Sequence, residues 1–165
     1  MDITQSQGPA CENDDHIHLV DRGLELHEAR KYDEAISVFR VAEQMSPRCP
    51  VVAYNLANTL HMLDRSEESI EILRSIIDSS EAQLLALCSD ASPRSLRLDA
   101  LYLMFLSLLD ASGSWRKASP YLRKHLANRS RGLFSVFTKA RVLNEAEGLR
   151  AAYAPRAKPV SGKSL

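Results

Sequence analysis

The sequence predicts an all-α fold in which helical hairpins stack into a solenoid that is closed by a C-terminal helix. Along the middle of the chain, apolar residues recur every three or four positions, and Gly and Pro are scarce. No long stretch alternates apolar and polar residues, as a half-buried strand would. The third observation is an internal repeat, because a pattern of small and large apolar residues recurs after 34 positions.

The composition is that of a folded, single-domain protein. The 165 residues are enough to bury a core, and 45% of them are hydrophobic against 25% charged. The 21 Lys and Arg residues balance the 21 Asp and Glu residues, so the formal net charge is zero. This balance excludes a uniformly basic nucleic-acid-binding protein.

Neither a membrane span nor a secretion signal is expected. The longest nearly continuous apolar run, Ala100 to Leu109, is about half of the ~20 residues that a spanning helix needs. The first twenty residues include acidic side chains but no Lys or Arg, unlike a signal peptide. Three widely spaced cysteines, Cys11, Cys49 and Cys88, fit unpaired thiols in a reducing compartment. We therefore expect a cytoplasmic protein.

The periodicity predicts one helical domain, residues 15–153, between a disordered head, 1–14, and a disordered tail, 154–165. Both ends are polar and have little apolar surface to bury. The expected helices cover residues 16–29, 33–46, 50–63, 67–88, 95–111, 115–128 and 132–152. Pro47 and Pro50 mark the turn between the first two hairpins.

The repeat gives a physical reason for the hairpins. Residues 34 positions apart keep their size, in the pairs Gly23 and Ala57, Leu26 and Leu60, Ala35 and Ser69, and Phe39 and Leu73. A small residue on each helix lets the two helices approach closely, and the large residue fills the space between layers. Because one hairpin cannot bury its apolar faces alone, neighbouring hairpins must stack.

A third hairpin and the last helix complete the expected solenoid. A further shift of 49 positions reaches Leu109, Trp115, Ala118, Leu122 and His125, which implies an insertion before the third hairpin. This repeat is weaker, since Leu106 stands where a small residue is expected and Pro120 lies within the second helix. The last helix has an apolar side suited to capping the core, formed by Leu133, Val136, Phe137, Ala140, Leu143 and Ala146.

This pattern resembles the tetratricopeptide repeat family, whose 34-residue unit has the same small and large positions and often ends in Pro, here Pro47. The repeats correspond to residues 16–49, 50–83 and 99–132, followed by a capping helix at 132–152. The resemblance implies a right-handed solenoid and a non-catalytic, protein-binding function. In this family the first helix of each unit lines a concave groove that holds a partner's peptide or helix.

The resemblance and the spacing together place eleven candidate partner-binding residues on that groove: Ile17, Val20, Leu24, His27, Val51, Tyr54, Asn55, Asn58, His61, Leu103 and Ser107. Ala100 and Asp110 fall on the same face of the third repeat. The first helix supports this assignment, because it has two apolar stripes and packing within one hairpin uses only one of them. The alternative is that the apolar members are core residues covered by the chain's own termini.

Some family members hold the C-terminal carboxylates of heat-shock chaperones with Lys, Arg and Asn side chains from three repeats. Carried over residue by residue, only Asn55 matches, since Val20, Leu24, Ala100 and Met104 occupy the other positions. We therefore expect that this binding activity is absent.

No set of residues points to catalysis or to a metal site. The segment Gly162–Ser164 ends like a phosphate-binding loop, but Ala157 stands where that motif requires its first Gly. Cys11, His16 and His18 lack a second ligand cluster, and no thiol has an evident His partner for nucleophilic catalysis. We expect a protein that is not an enzyme and that needs no metal or cofactor.

The charge distribution and one helix leave two alternatives open. Residues 1–100 hold 18 acidic and 9 basic residues, whereas residues 101–165 hold 3 acidic and 12 basic residues. The basic third would suit nucleic acid or another acidic surface, through Arg123, Lys124, Arg129, Arg131, Lys139 and Arg141. Self-association is the other alternative, because the helix at 95–111 is apolar nearly all round.

The leading hypothesis is an adaptor, chaperone or assembly factor that binds a protein or peptide whose identity the sequence does not give. Nucleic acid is disfavoured as a partner, because no aromatic residues are interleaved with the basic ones in a base-stacking pattern. Formation of a homo-oligomer stays open at this stage.

Overall fold

The computed structural model of the chain describes residues 14–87, 92–129 and 133–153. Within these ranges every regular element is a helix, which confirms the predicted fold class. The tail and the head that were predicted to be disordered lie outside the described residues, except that Asp14 begins the first helix. No helix in these ranges combines the length and the apolar character needed to cross a bilayer.

The described residues form eight helices: α1 (Asp14–Glu28), α2 (Tyr32–Met45), α3 (Pro50–Met62), α4 (Ser66–Asp78), α5 (Glu81–Leu87), α6 (Pro93–Ser112), α7 (Trp115–Arg129) and α8 (Lys139–Tyr153). The pairs α1–α2, α3–α4 and α6–α7 pack as hairpins. The second helix of each of the first two pairs also packs against the first helix of the next pair. Three hairpins therefore stack in chain order, and α8 follows them against α7.

The turns inside the hairpins repeat in their backbone geometry. Arg30, Asp64 and Gly113 have φ angles of 60°, 58° and 59°. In the first two turns, the next amide donates to the carbonyl five residues earlier, at 2.9 Å and 3.0 Å. A residue other than Gly seldom adopts a left-handed conformation. Its recurrence at Arg30 and Asp64 therefore shows that the sequence repeat is also a structural repeat.

The first hairpin has the close helix approach that its small residues predict. A Cβ atom added to Gly23 would lie 2.4 Å from Cε1 of Phe39, so only Gly fits at this crossing. The ring of Phe39 is fully buried, in one cluster with Leu26, Leu56 and Leu60. Gly23 therefore lets Phe39 fill the space between the first and second hairpins.

The predicted helix over residues 67–88 is wrong, because two helices occupy this region. α4 ends at Asp78, and a new helix begins after Ser80. The Ser80 amide donates to Oε1 of Gln83 at 2.7 Å, while the Gln83 amide donates to Oγ of Ser80 at 3.1 Å. This reciprocal capping box fixes the start of α5 and separates it from α4.

α6 is the most deeply buried helix of the described chain, and it is buried on two sides. One side packs against α3 and α4, through Ala100, Leu103 and Met104. The other side packs against α7 and α8, through Tyr102, Phe105 and Leu109. Its apolar character all round is therefore accounted for within one chain.

The last helix begins at Lys139, whereas residue 132 was the predicted start. Before it, the hydroxyl of Ser135 donates to Oδ1 of Asp99 and accepts the Phe137 amide at 3.1 Å. Because Ser135 binds both α6 and its own backbone, the chain turns at this point and the helix starts only after the turn.

The buried side of α8 also differs from the predicted one. Val142 and Ala146 pack against the core that α6 and α7 share, which is the position expected of a cap. Leu143 and Val136, which were predicted to lie on that side, are exposed. The predicted pattern included the turn before Lys139, where helical spacing does not apply.

Candidate functional site

The first helices of neighbouring hairpins are joined by polar side chains. Nδ1 of His27 on α1 lies 2.9 Å from Oγ1 of Thr59 on α3. The Thr59 hydroxyl donates its hydrogen to the carbonyl of Asn55 at 2.8 Å. Oγ1 of Thr59 must therefore accept from His27, so Nδ1 of His27 carries a hydrogen.

Similar contacts continue from α3 to α6 and from α6 to α8. Nδ1 of His61 on α3 lies 3.2 Å from Oδ2 of Asp110 on α6, outside hydrogen-bond geometry. The hydroxyl of Tyr102 on α6 donates to Oε2 of Glu145 on α8 at 2.8 Å. These contacts place α1, α3, α6 and α8 side by side along one surface of the stack.

The face of these helices that points away from α2, α4 and α7 is the candidate site, and we call it the inner face. On α3, the opposite side is buried through Val52, Leu56 and Leu60. Side chains spaced by four, three and four positions share one side of a helix. By this spacing the inner face consists of Ile17, Asp21, Leu24 and Glu28 on α1 and Val51, Asn55, Asn58 and Met62 on α3. On α6 the same spacing gives Asp99, Leu103, Leu106 and Asp110, of which Asp99 and Leu103 are buried and Leu106 and Asp110 are accessible.

The inner face and its border expose large apolar side chains. They have exposed fractions between 36% and 71% and are Ile17, Leu24, Met62, Phe134 and Val136. The last two lie on either side of Ser135, whose hydroxyl is bonded to Asp99 of the inner face. Exposed apolar groups of this size in one region are typical of an interaction surface.

Three polar side chains on α3 have no hydrogen-bond partner in the part of the chain that the structure describes. Tyr54, Asn55 and Asn58 are partly buried, and none of their side chains makes a hydrogen bond with another described residue. Burial, together with the carboxylate of Asp99, raises the pKa of Tyr54, so its hydroxyl stays protonated as a donor. Partly desolvated donors and acceptors without partners are available to a bound ligand.

Leu103 and Ser107 were predicted to line the groove, and the structure shows that this is wrong. Leu103 is 1% exposed, and Oγ of Ser107 lies 3.2 Å from Oγ of Ser69 on α4. Ala100, on the same stripe, is also fully buried. α6 is thus rotated relative to the predicted register, and Leu106 and Asp110 take the accessible inner positions.

Val20 is also a core residue rather than a groove residue. It packs against Ala42 of α2 and Val52 of α3 in one buried cluster. The other candidates on α1 and α3 lie on the inner face or beside it, where α1 contacts α3 and α3 contacts α6. Three residues of the inner face, Asp21, Glu28 and Met62, were not predicted, although each lies three or four positions from a predicted residue on the same stripe.

Histidines at these helix contacts are neutral because they are buried. Burial lowers the pKa of His27 and His61, although neighbouring carboxylates partly oppose this. His125, on α7, is fully buried, and its Nδ1 donates to the carbonyl of Leu98 at 2.8 Å. Burial again lowers the pKa of His125, and its Nε2 has no partner among the described residues.

Acid should therefore destabilise the fold as these histidines take up protons. The pKa of His125 is lower in the folded chain than the ~6.5 of an unfolded chain, so stability is full above that value and falls below it. We expect Tm to decrease from about pH 7 to about pH 5, and less steeply for His125→Asn, whose amide can still donate to Leu98. Circular dichroism melting at each pH measures the slope of Tm against pH for wild type, His125→Asn and the exposed-site control His18→Asn. Equal slopes for the three proteins would contradict this prediction.

One thiol does have a His neighbour, contrary to the sequence-based expectation. Sγ of Cys49 lies 4.0 Å from Nε2 of His16, and both residues are 2% exposed. A substrate has no access to a pair enclosed in this way, so the contact belongs to the packing of α1 on the second hairpin. Cys11, considered with His16 as a metal ligand, lies outside the described residues.

A cavity of about 580 Å³ lies on the side of α3 opposite the inner face. Its lining includes Ala53 of α3, Ile72 and Ile76 of α4, and Leu84 and Leu87 of α5. The ion pair between Glu81 and Arg94, 2.9 Å apart, ties α5 to α6 beside it. The inserted helix α5 thus gives the outer side a pocket of its own, separate from the candidate site.

A family model described as tetratricopeptide repeat matches residues 26–91, the segment that contains α2, α3, α4 and α5. This segment of the chain belongs to the tetratricopeptide repeat family. The sequence-based recognition is confirmed. No curated protein and no solved structure matches the chain.

The matched family has a general function. Tetratricopeptide repeats generally mediate protein–protein interactions, and the family is typically non-catalytic. The unbonded polar side chains of α3 lie within the matched tetratricopeptide repeat segment. The residues of the candidate site that come from α1 and α6 extend the same face on either side.

Proposed function

We propose that the protein is a non-catalytic interaction module, an adaptor, chaperone or assembly factor, which binds a peptide or helix of a protein partner on its inner face. One observation carries this proposal most directly. Tyr54, Asn55 and Asn58 form a row of partly buried polar side chains without partners, with exposed apolar side chains around them. The polar atoms of these side chains are open to solvent, so a bound peptide's amides can replace water as their hydrogen-bond partners.

The experiment that tests this proposal compares two substitutions to the same residue. Asn58→Arg places a long cation in the middle of the inner face, and Gln44→Arg places one on the exposed surface of α2. We expect affinity purification with quantitative mass spectrometry to recover the same partner with wild type and Gln44→Arg. Recovery should fall about tenfold or more with Asn58→Arg, as for a hot-spot loss of about 2 kcal/mol.

Circular dichroism melting serves as the control for folding in this comparison. Both variants should melt close to wild type, because both sites are solvent-accessible. The proposal fails if Asn58→Arg folds normally and recovers the partner as well as wild type does.

The charge of α7 supports a second candidate function. Arg116, Lys117, Arg123 and Lys124 are exposed on this helix, which has no acidic residue, and none forms an ion pair with a described residue. Such a surface would attract an acidic partner or nucleic acid. Binding through it should weaken steeply with added salt and with Arg123→Gln, and should be unchanged in Asn58→Arg.

A further inference from the structure

The inner face is acidic as well as apolar, and this combination narrows the class of partner. The helices α1, α3 and α6 contribute the accessible carboxylates of Asp21, Glu28 and Asp110 to the face, and no Lys or Arg. Arg22, the arginine of α1, pairs with Glu25 at 2.9 Å. On α8, Arg141 lies at the border of the face, where it pairs with Glu145 at 3.8 Å and lies 5.6 Å from the ring centre of Phe137. The basic side chains of α7 lie away from the face.

The carboxylates on α1 are available for a ligand. Asp21 and Glu28 are exposed, and neither forms an ion pair or a side-chain hydrogen bond with a described residue. They alternate along one stripe with the exposed apolar residues Ile17 and Leu24. A ligand lying along α1 would therefore meet apolar and acidic positions in turn, one helical turn apart.

At the other border of the face, the acidic and apolar groups are again adjacent. The side chain of Asp110 on α6 is 40% exposed, and its Oδ2 lies 3.2 Å from Nδ1 of His61. Phe134 and Val136 are exposed beside Asp99, which is itself covered by Ser135. Apolar and carboxylate groups therefore lie on both sides of the amide side chains of Asn55 and Asn58.

We infer that the inner face binds a cationic amphipathic helix of a partner protein, with the helix's apolar side against Ile17, Leu24 and Met62 and its Lys or Arg side chains toward Asp21, Glu28 and Asp110. This inference rests on the proposed function and names the chemistry of its partner. Complementary charge raises the rate of encounter and selects against acidic peptides. The contact between exposed charges should be strongly dependent on salt, since screening acts over about 8 Å at physiological ionic strength.

Fluorescence anisotropy with labelled model peptides tests the inference on the full chain. The probe is an amphipathic peptide of Leu and Lys, about 18 residues long so that it forms five turns. Its two counterparts are the same peptide with Glu for Lys and a scrambled Leu and Lys peptide of equal charge. We expect the amphipathic Lys peptide to bind at least about tenfold more tightly than either counterpart, as the combined effect of charge and apolar contact.

A matched pair of double variants locates the binding. Asp21→Asn with Glu28→Gln removes two carboxylates from the inner face, and Asp78→Asn with Glu147→Gln removes two exposed carboxylates elsewhere. The first double variant should bind the Lys peptide about fivefold more weakly at low salt, and the second should stay within about twofold of wild type. Equal losses in the two double variants would overturn the inference, because the effect would then be one of net charge alone.

Further outcomes identify other occupants and would also overturn the inference. If a chain ending at Tyr153 binds the Lys peptide about tenfold more tightly, the protein's own basic tail occupies the face. If sedimentation velocity shows a dimer that the peptide dissociates, a second copy occupies it. If Asn58→Arg loses its partner while the charge variants bind the model peptides like wild type, the proposed function stands and this inference fails.

Discussion

Phe39→Ala should lower the free energy of unfolding by about 3–5 kcal/mol, since it removes a fully buried ring between the first two hairpins. Gly23→Ala should cost about 1–3 kcal/mol, because the new Cβ would lie 2.4 Å from that ring. Chemical denaturation followed by circular dichroism measures both losses.

The double variant makes this prediction specific to the contact between the two residues. With Phe39→Ala in place, the ring that excludes a Cβ at Gly23 is absent. The two losses should therefore be non-additive, and the double variant should be more stable than their sum predicts. Additive losses would mean that Gly23 and Phe39 do not meet as the structure places them.

Leu103→Ala is the second change with a large expected effect, at about 2–5 kcal/mol of lost stability. Leu103 is 1% exposed and packs in the core between α4 and α6. The matched control is Leu106→Ala, three positions along the same helix, where the side chain is only partly buried. Leu106→Ala should lower the free energy of unfolding clearly less than Leu103→Ala does.

This pair of variants tests the rotation of α6. On the sequence-based register, Leu103 lies in an open groove and its replacement leaves the fold intact. A wild-type melting curve for Leu103→Ala, or a larger loss for Leu106→Ala, would restore that register and contradict the structure.

Much of the fold follows from the sequence because the repeat fixes several features at once. The small residue Gly23, the large residue Phe39 and the turn at Arg30 each have a counterpart 34 positions later. The stripe of Ile17 and Leu24 on α1 was found for the same reason, since periodicity separates it from the residues that face α2.

The errors arose where periodicity carries no information. α6 is apolar on nearly every side, so spacing alone did not determine which of Leu103 and Leu106 faces inward. The break between α4 and α5 was detectable, since Ser80 and Gln83 have the spacing of a capping box. The late start of α8 depends on the contact of Ser135 with Asp99, 36 residues earlier, which no local pattern reveals.

The measurement that tests the central claim most directly is site-specific photo-crosslinking of the full chain in its native cells. A photoreactive residue is placed at one position at a time, at Leu24 and Asn58 on the inner face and at Val41 and Arg74 on exposed outer surfaces. We expect Leu24 and Asn58 to crosslink to the same partner protein, and the outer positions not to capture it. A partner captured from Val41 or Arg74, and not from Leu24 or Asn58, would contradict the account.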